Sequence, residues 1–422
     1  FIHFLTRTWL PFPPPLPFLL LTLLFQAASH PLVPILPVSK HRLARQYVAR
    51  IYQGTTLLPV DAVLHLGGPL LWLGCDSGHA SPSYRRLPCN SAQCPSARAS
   101  PGQPPRCSGP TCSVPVKNVL TGKSAVGKMG EDALGVSAAD GSVVSVPRFL
   151  FPCVPGGEVL EGLAGGATGM AGLAHGPVGL LTQLSAALNF SRKFAICLPS
   201  SSAPGSGGVV FFGGGPYLLL PNIDVSKVLI RTPLIVRASG PTTSAKAPSS
   251  SFDYIFRVQS IRINGERILL NSPRPMETKI STIDPYATLE TSIYESVVDR
   301  FVREAVAANA TRVASVPPFD VCFNTKVGEA SASLPIIDLM LDDDEVFWRI
   351  FDTNSMVEVG EEVACLGFLD AGRNPRTSIV MGGHQLEDNL IQFDLDLSRL
   401  GFTSSLLLEQ TSCADFNFAA GP

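Results

Sequence analysis

Charge is scarce in this 422-residue chain: only 16% of residues are Asp, Glu, Lys or Arg, and the formal net charge is -2. A near-neutral chain offers no polyanion-binding field, so nucleic acid is not an expected partner. Metal-binding spacings are missing too. Ten cysteines are present, yet none forms a Cys-x-x-Cys pair. Cys89 and Cys94 are five apart, as are Cys107 and Cys112, without the histidines a zinc module needs between them. No metal or cofactor is expected. The glycine cluster from Gly162 to Leu184 lacks a Gly-Lys-Ser/Thr ending, which excludes a phosphate loop.

No apolar run reaches the roughly 20 residues of a spanning helix. Phe18–Phe25 is a short apolar core, with Arg7 before it and Ala27-Ala28-Ser29 after it. This pattern predicts a signal peptide over 1–29 and a secreted protein with no membrane attachment after cleavage. An even cysteine count fits export and a disulfide framework. Asn189-Phe-Ser191 and Asn309-Ala-Thr311 are glycosylation sequons.

Glycine and proline, 37 of each, are plentiful and suit a loop-rich β protein. Pro31–Val38 reads as an edge strand, because proline is tolerated there. Gln46–Tyr52 alternates as the next strand. Residues 77–115, rich in Pro, Ser and Cys, read as loops held by bridges rather than by a core. Asn264-Gly265 predicts a hairpin turn. Apolar residues at helical spacing from Ile293 to Ala305 predict a helix capped by Thr291 or Ser292.

The organising stretch is Val60–Cys75: an apolar strand, the Gly67-Gly68 turn, then an apolar run with Trp72. It resembles the first active-site loop of pepsin-like aspartic proteases, with Gly67 and Leu71-Trp72 in register. On that pattern His65 occupies the catalytic aspartate's place and Leu66 the threonine's. A second such loop is expected at Lys279–Leu289, with Ser281 at the aligned position. Gly169-Met-Ala-Gly-Leu173 and Ser378-Ile-Val-Met-Gly-Gly383 are paired apolar-glycine segments, so the chain reads as a duplicated lobe. The resemblance implies an all-β, two-lobed fold of duplicated barrel-like lobes with short helices. The lobes are placed at 30–225 and 226–422.

Phe149–Cys153, Lys193–Leu198, Leu289–Tyr294, Met381–Leu390 and Cys413–Phe418 narrow the resemblance. They are similar to one plant group, which comprises the basic 7S globulins, the extracellular dermal glycoproteins and the TAXI-type inhibitors of xylanases and xyloglucan endoglucanases. That resemblance implies disulfides Cys75–Cys153, Cys197–Cys413 and Cys322–Cys365. Cys89, Cys94, Cys107 and Cys112 retain three possible connectivities. It also implies a cell-wall protein, mostly non-proteolytic in kind, whose partner is a glycoside hydrolase.

Aspartic proteolysis needs two carboxylates about 3 Å apart sharing one proton. With His65 and Ser281 there, no catalytic residue is expected. Around Val119–Gly122 no tyrosine closes a flap. Asp76, in Cys75-Asp76-Ser77-Gly78, follows Trp72 instead of preceding it, and Asp284 precedes Pro285 in a turn; neither reads as catalytic. A His65–Ser281 nucleophile–base pair lacks an orienting acid, so a buried structural histidine is expected. Target-binding loops are expected at Lys326 and at Glu409-Gln410. A cation suits a glycosidase's carboxylate pair, whereas Glu409 repels it. The competing readings are an active secreted endopeptidase, favoured by fold alone, and a storage or wall-associated globulin.

Overall fold

The computed structural model describes residues 33–75, 81–97, 104–236, 252–270, 275–325, 334–342 and 345–418. The leader at 1–29, Asp76 and Lys326 lie outside them, as does most of the polar stretch before Phe252. Among the described residues, no helix is long and apolar enough to cross a membrane.

The protein has the expected two-lobed pepsin-like architecture, and its halves share one sheet. In order across that sheet run Ile230–Pro233, Arg399–Phe402, Leu390–Asp394, Lys193–Cys197, Gly208–Phe212 and Pro34–Lys40. The closing strands of the chain therefore pair with strands of the first half. Phe194 stacks on Phe393 at 4.7 Å between ring centroids, and Tyr254 donates to the Leu173 carbonyl at 2.8 Å. Apolar side chains from both halves form a single core around these contacts.

The Pro34–Lys40 strand is interior, not an edge. It pairs with Gly208–Phe212 along one side. On the other it meets Ala138 and Ser137 at Pro34 and Ile35, then Tyr47–Ala49 from Val38 onward. Pro37 falls where the strand changes partner, so its missing N–H leaves no ladder bond unmade.

Asn264 and Gly265 both hold positive φ, at 51° and 83°, and join Ser260–Ile263 to Glu266–Arg267 as a two-residue turn requires. Helix α1 is Leu180–Leu188 and α2 is Thr291–Ala307. Ile293, Val297, Phe301 and Ala305 recur every four residues and bury one face of α2. Its cap is Glu290, not Thr291 or Ser292. The Glu290 carboxylate accepts from the Ser292 amide and hydroxyl, and an acid suits the positive helix end.

Five disulfides join Cys75–Cys153, Cys89–Cys107, Cys94–Cys112, Cys197–Cys413 and Cys322–Cys365. The cysteine-rich stretch is more than bridged loops. Leu87, Cys94, Ala97 and Cys112 are buried with Trp72, Val114 and Met129 in a second core.

Candidate functional site: the floor of the cleft

The site is built by two crossed-strand loops of one design. In the first, Ala167–Gly172 runs parallel to Leu58–His65 and antiparallel to Trp72–Gly74. In the second, Ile379–Met381 runs parallel to Met276–Ile280 and antiparallel to Ala287–Leu289. Backbone bonds fix the correspondence: Ala174 N–H donates to Gly68 O, and Gly383 N–H donates to Asp284 O. Gly68 stands three residues past His65 and Asp284 three past Ser281, so those two positions correspond. Glycine is needed at Gly172, where a Cβ would run into the Gly68 and Leu70 carbonyls.

One residue ties the loops together. The Thr282 hydroxyl donates to Leu64 O at 2.7 Å and accepts from Leu66 N–H at 3.2 Å. It thereby grips the backbone on both sides of His65. Leu66 is the equivalent residue of the first loop and has no hydroxyl to return the contact.

Neither substituted position is arranged for acid chemistry. The Ser281 hydroxyl accepts from the Ile283 and Asp284 amides at 3.2 and 3.1 Å, closing its own turn. Asp284 serves the same turn through its backbone. Burial, reinforced by the Lys279 ammonium, holds the His65 imidazole down to about 4, against a smaller opposing pull from Asp253. His65 is therefore neutral at pH values well above 4.

Lys279 lies near the end of the Met276–Ile280 strand, two residues before Ser281 in the chain. Its ammonium pairs with Asp253 at 3.3 Å. Asp253 in turn lies over the first turn: a Cβ at Gly67 would be 2.7 Å from its carboxylate. The floor thus presents a neutral imidazole beside a lysine–aspartate pair. Such a set can hold hydrogen bonds but cannot share one proton between two acids.

The hairpin of Thr111–Lys117 and Ser124–Ala138 turns through Asn118–Lys123, with no tyrosine at its tip. Asn118 is buried and donates to Val159 O and Glu161 O, so it holds the turn down.

The second expected target loop differs from this floor in design and anchoring. Glu409 ends a single turn, Leu406–Glu409, and Gln410 follows with φ 56°. Thr411 donates to Leu220 O at 2.8 Å, and Cys413 is bridged to Cys197. Leu406 is buried, while Leu407 and Leu408 are 47% and 66% exposed and Leu220 is 48% exposed. This apolar tip beside Glu409 is not legible in the sequence, where a leucine triplet looks the same facing in or out. Asp253 and Lys279 are not legible as a pair either, because 26 positions of chain separate them.

The fold and this floor define a pepsin-like scaffold. The family model described as Xylanase inhibitor N-terminal matches residues 47–214, and Xylanase inhibitor C-terminal matches 253–404. The chain belongs to this xylanase-inhibitor family. It is 45% identical to "Probable aspartic proteinase GIP2" of Nicotiana benthamiana, over 92% of each chain. It is 34% identical to basic 7S globulin of Glycine max, over 91% of this chain and 92% of that one. Among solved structures, edgp superposes with TM-score 0.82 and 43% identity, covering 92% of this chain and 98% of that chain. Soybean basic 7S globulin gives 0.77 and 33%, covering 92% and 99%.

Proposed function

We propose that the protein is a secreted, non-catalytic binder that blocks microbial cell-wall glycoside hydrolases of the xylanase or xyloglucan-endoglucanase type. The observation that carries the reading is the cleft floor: both crossed loops are kept, while His65, Ser281 and the Lys279–Asp253 pair replace its acid chemistry. A scaffold held so closely without its reaction is suited to presenting surface. The family description supports a hydrolase as the partner.

The Leu406–Glu409 turn is the surface we assign, with Lys326 as a second contributor. Leu407 and Leu408 offer apolar area for desolvated contact, and the Cys197–Cys413 bridge holds their base. Glu409 repels a glycosidase's carboxylate pair and limits affinity. The endopeptidase reading has the name of the Nicotiana relative in its favour and the missing carboxylates against it. Two assays separate them. Purified secreted protein is titrated against fungal xylanases and xyloglucan endoglucanases, and is tested for cleavage of a denatured protein at pH 3 to 5 with and without a statine inhibitor. Dose-dependent loss of hydrolase activity supports the proposal; statine-sensitive cleavage overturns it.

A further inference from the structure

The formal net charge of -2 averages over a strong asymmetry. Between Ser77 and Gly130 the chain has seven Lys or Arg and neither Asp nor Glu. The rest of the chain carries all 34 acidic residues against 25 basic ones. Composition shows the basic stretch, but strand register decides where its charges point. Two disulfides, Cys89–Cys107 and Cys94–Cys112, tie the stretch together.

Register gathers four of these cations on one sheet face. Arg106 stands opposite Ser113, and Ser113 opposite Lys128, so all three share a face. Lys117 is four residues on from Ser113, and Arg86 stands opposite Gly130, two residues on from Lys128. Alternation adds both to that face. The other face buries Val114, Val116 and Met129 with Trp72, which leaves the cationic face to solvent. All four cations are exposed, and among the described residues none has an ion-pair or hydrogen-bond partner. Two further cations of the stretch are engaged: Lys123 pairs with Glu158 and Glu161, and Arg85 donates to Pro82 O and Tyr84 O.

Spacing and neighbours define the ligand. Arg106 and Lys128 are two strand spacings apart, about 9.5 Å, and Lys117 lies about 14 Å along the strands from that row. A single phosphate or carboxylate does not reach across such a set, whereas a chain of repeated anions does. The exposed Ser108 and Ser124 lie on the same face, opposite Thr111 and Lys117, and their hydroxyls suit a hydroxylated polymer. Among the described residues, no exposed aromatic ring stands there to stack a base, since Tyr84 packs on Phe151. Val126, 59% exposed, offers too little apolar area to enter a membrane surface. We propose that this face binds a linear polyuronate, an acidic polysaccharide with one carboxylate on each sugar ring. The inference rests on charge placement and is independent of hydrolase binding.

The test is retention of the purified secreted protein on immobilised polygalacturonate over a series of salt concentrations, beside fully methyl-esterified polygalacturonate. The parent protein should be held at low salt and elute as salt rises. It should pass through the esterified polymer, which keeps the sugars and loses the charge. Arg106→Gln/Lys128→Gln should weaken binding about tenfold, as local field strength falls. Lys227→Gln/Arg303→Gln removes the same charge from exposed positions elsewhere and should leave binding nearly unchanged. All four side chains are exposed, so melting temperatures close to the parent's confirm folding. A parent protein that passes through polygalacturonate overturns the inference, as do equal losses in the two double variants or equal retention on the esterified polymer. Tighter binding to single-stranded nucleic acid or to anionic vesicles overturns it too and reassigns the face.

Discussion

Thr282 donates its hydroxyl to the Leu64 carbonyl, 218 residues upstream, and takes the Leu66 amide in return. This one side chain is the polar joint between the crossed loops. Both bonds are buried, so removing the hydroxyl strands an amide and a carbonyl away from water.

Thr282→Val should therefore lower stability by about 1–3 kcal/mol, the usual cost of unsatisfied buried groups, while Thr282→Ser should lose much less. Urea denaturation of the three proteins, compared by midpoint at constant slope, measures it. Equal midpoints would show that the joint contributes no stability.

His65 should titrate near 4 in the folded protein, against its ordinary 6.5. Between these values the unfolded chain binds more protons than the native one, so stability rises with pH across that window. It is complete above 6.5 and is withdrawn as pH falls through 4. In His65→Leu the acid-side decline should be shallower. Denaturation midpoints at a series of pH values, with imidazole chemical shifts, test both statements.

Restoring the acids alone should not restore proteolysis. In His65→Asp/Ser281→Asp, the Lys279 ammonium would hold the new carboxylate in its ionised form, and a shared proton would be lost. Statine-sensitive cleavage is expected only when Lys279 and Asp253 are replaced by apolar residues as well. Cleavage by the double variant would show that the ion pair is incidental.

On the proposed binding face, Leu408→Asp should weaken hydrolase inhibition roughly tenfold or more, the scale of a central contact worth over 1 kcal/mol. Glu409→His or Gln410→Arg should strengthen it, and Lys326→Ala should weaken it. Inhibition curves for these four variants and the parent decide between the two loops. Coincident curves would place the contact elsewhere.

All ten cysteines should resist thiol titration in denaturant without reductant. Cys413→Ser should cost about 2–5 kcal/mol, typical for a native bridge lost from a secreted fold. Melting curves under non-reducing conditions read the change.

The crossed loops are legible in the sequence because their signals are local: apolar runs, glycine pairs and Trp72 at fixed spacing. The register that sets His65 against Ser281 rests on the same spacing. The Lys279–Asp253 pair is not legible, since no periodicity links Asp253, just ahead of the Tyr254–Val258 strand, to a residue of another strand. Leu407 and Leu408 are hidden for another reason. A leucine triplet carries the same apolar signal whether its turn faces in or out. Pro37 shows a third limit: its neighbours in the sheet come from distant strands, so composition suggests an edge where partners merely change.

The pairing of Lys193–Cys197 with Leu390–Asp394 has a consequence for biosynthesis. Residues 198–389 must still be made after the first of these strands emerges, and until then its outer edge has no partner. A ribosome-bound first half therefore carries an open, apolar strand edge that invites association with other chains. Chains stopped short of residue 390 should collect as aggregates or on chaperones instead of persisting as a folded amino-terminal fragment, so the last few dozen residues act as the fold's closing gate.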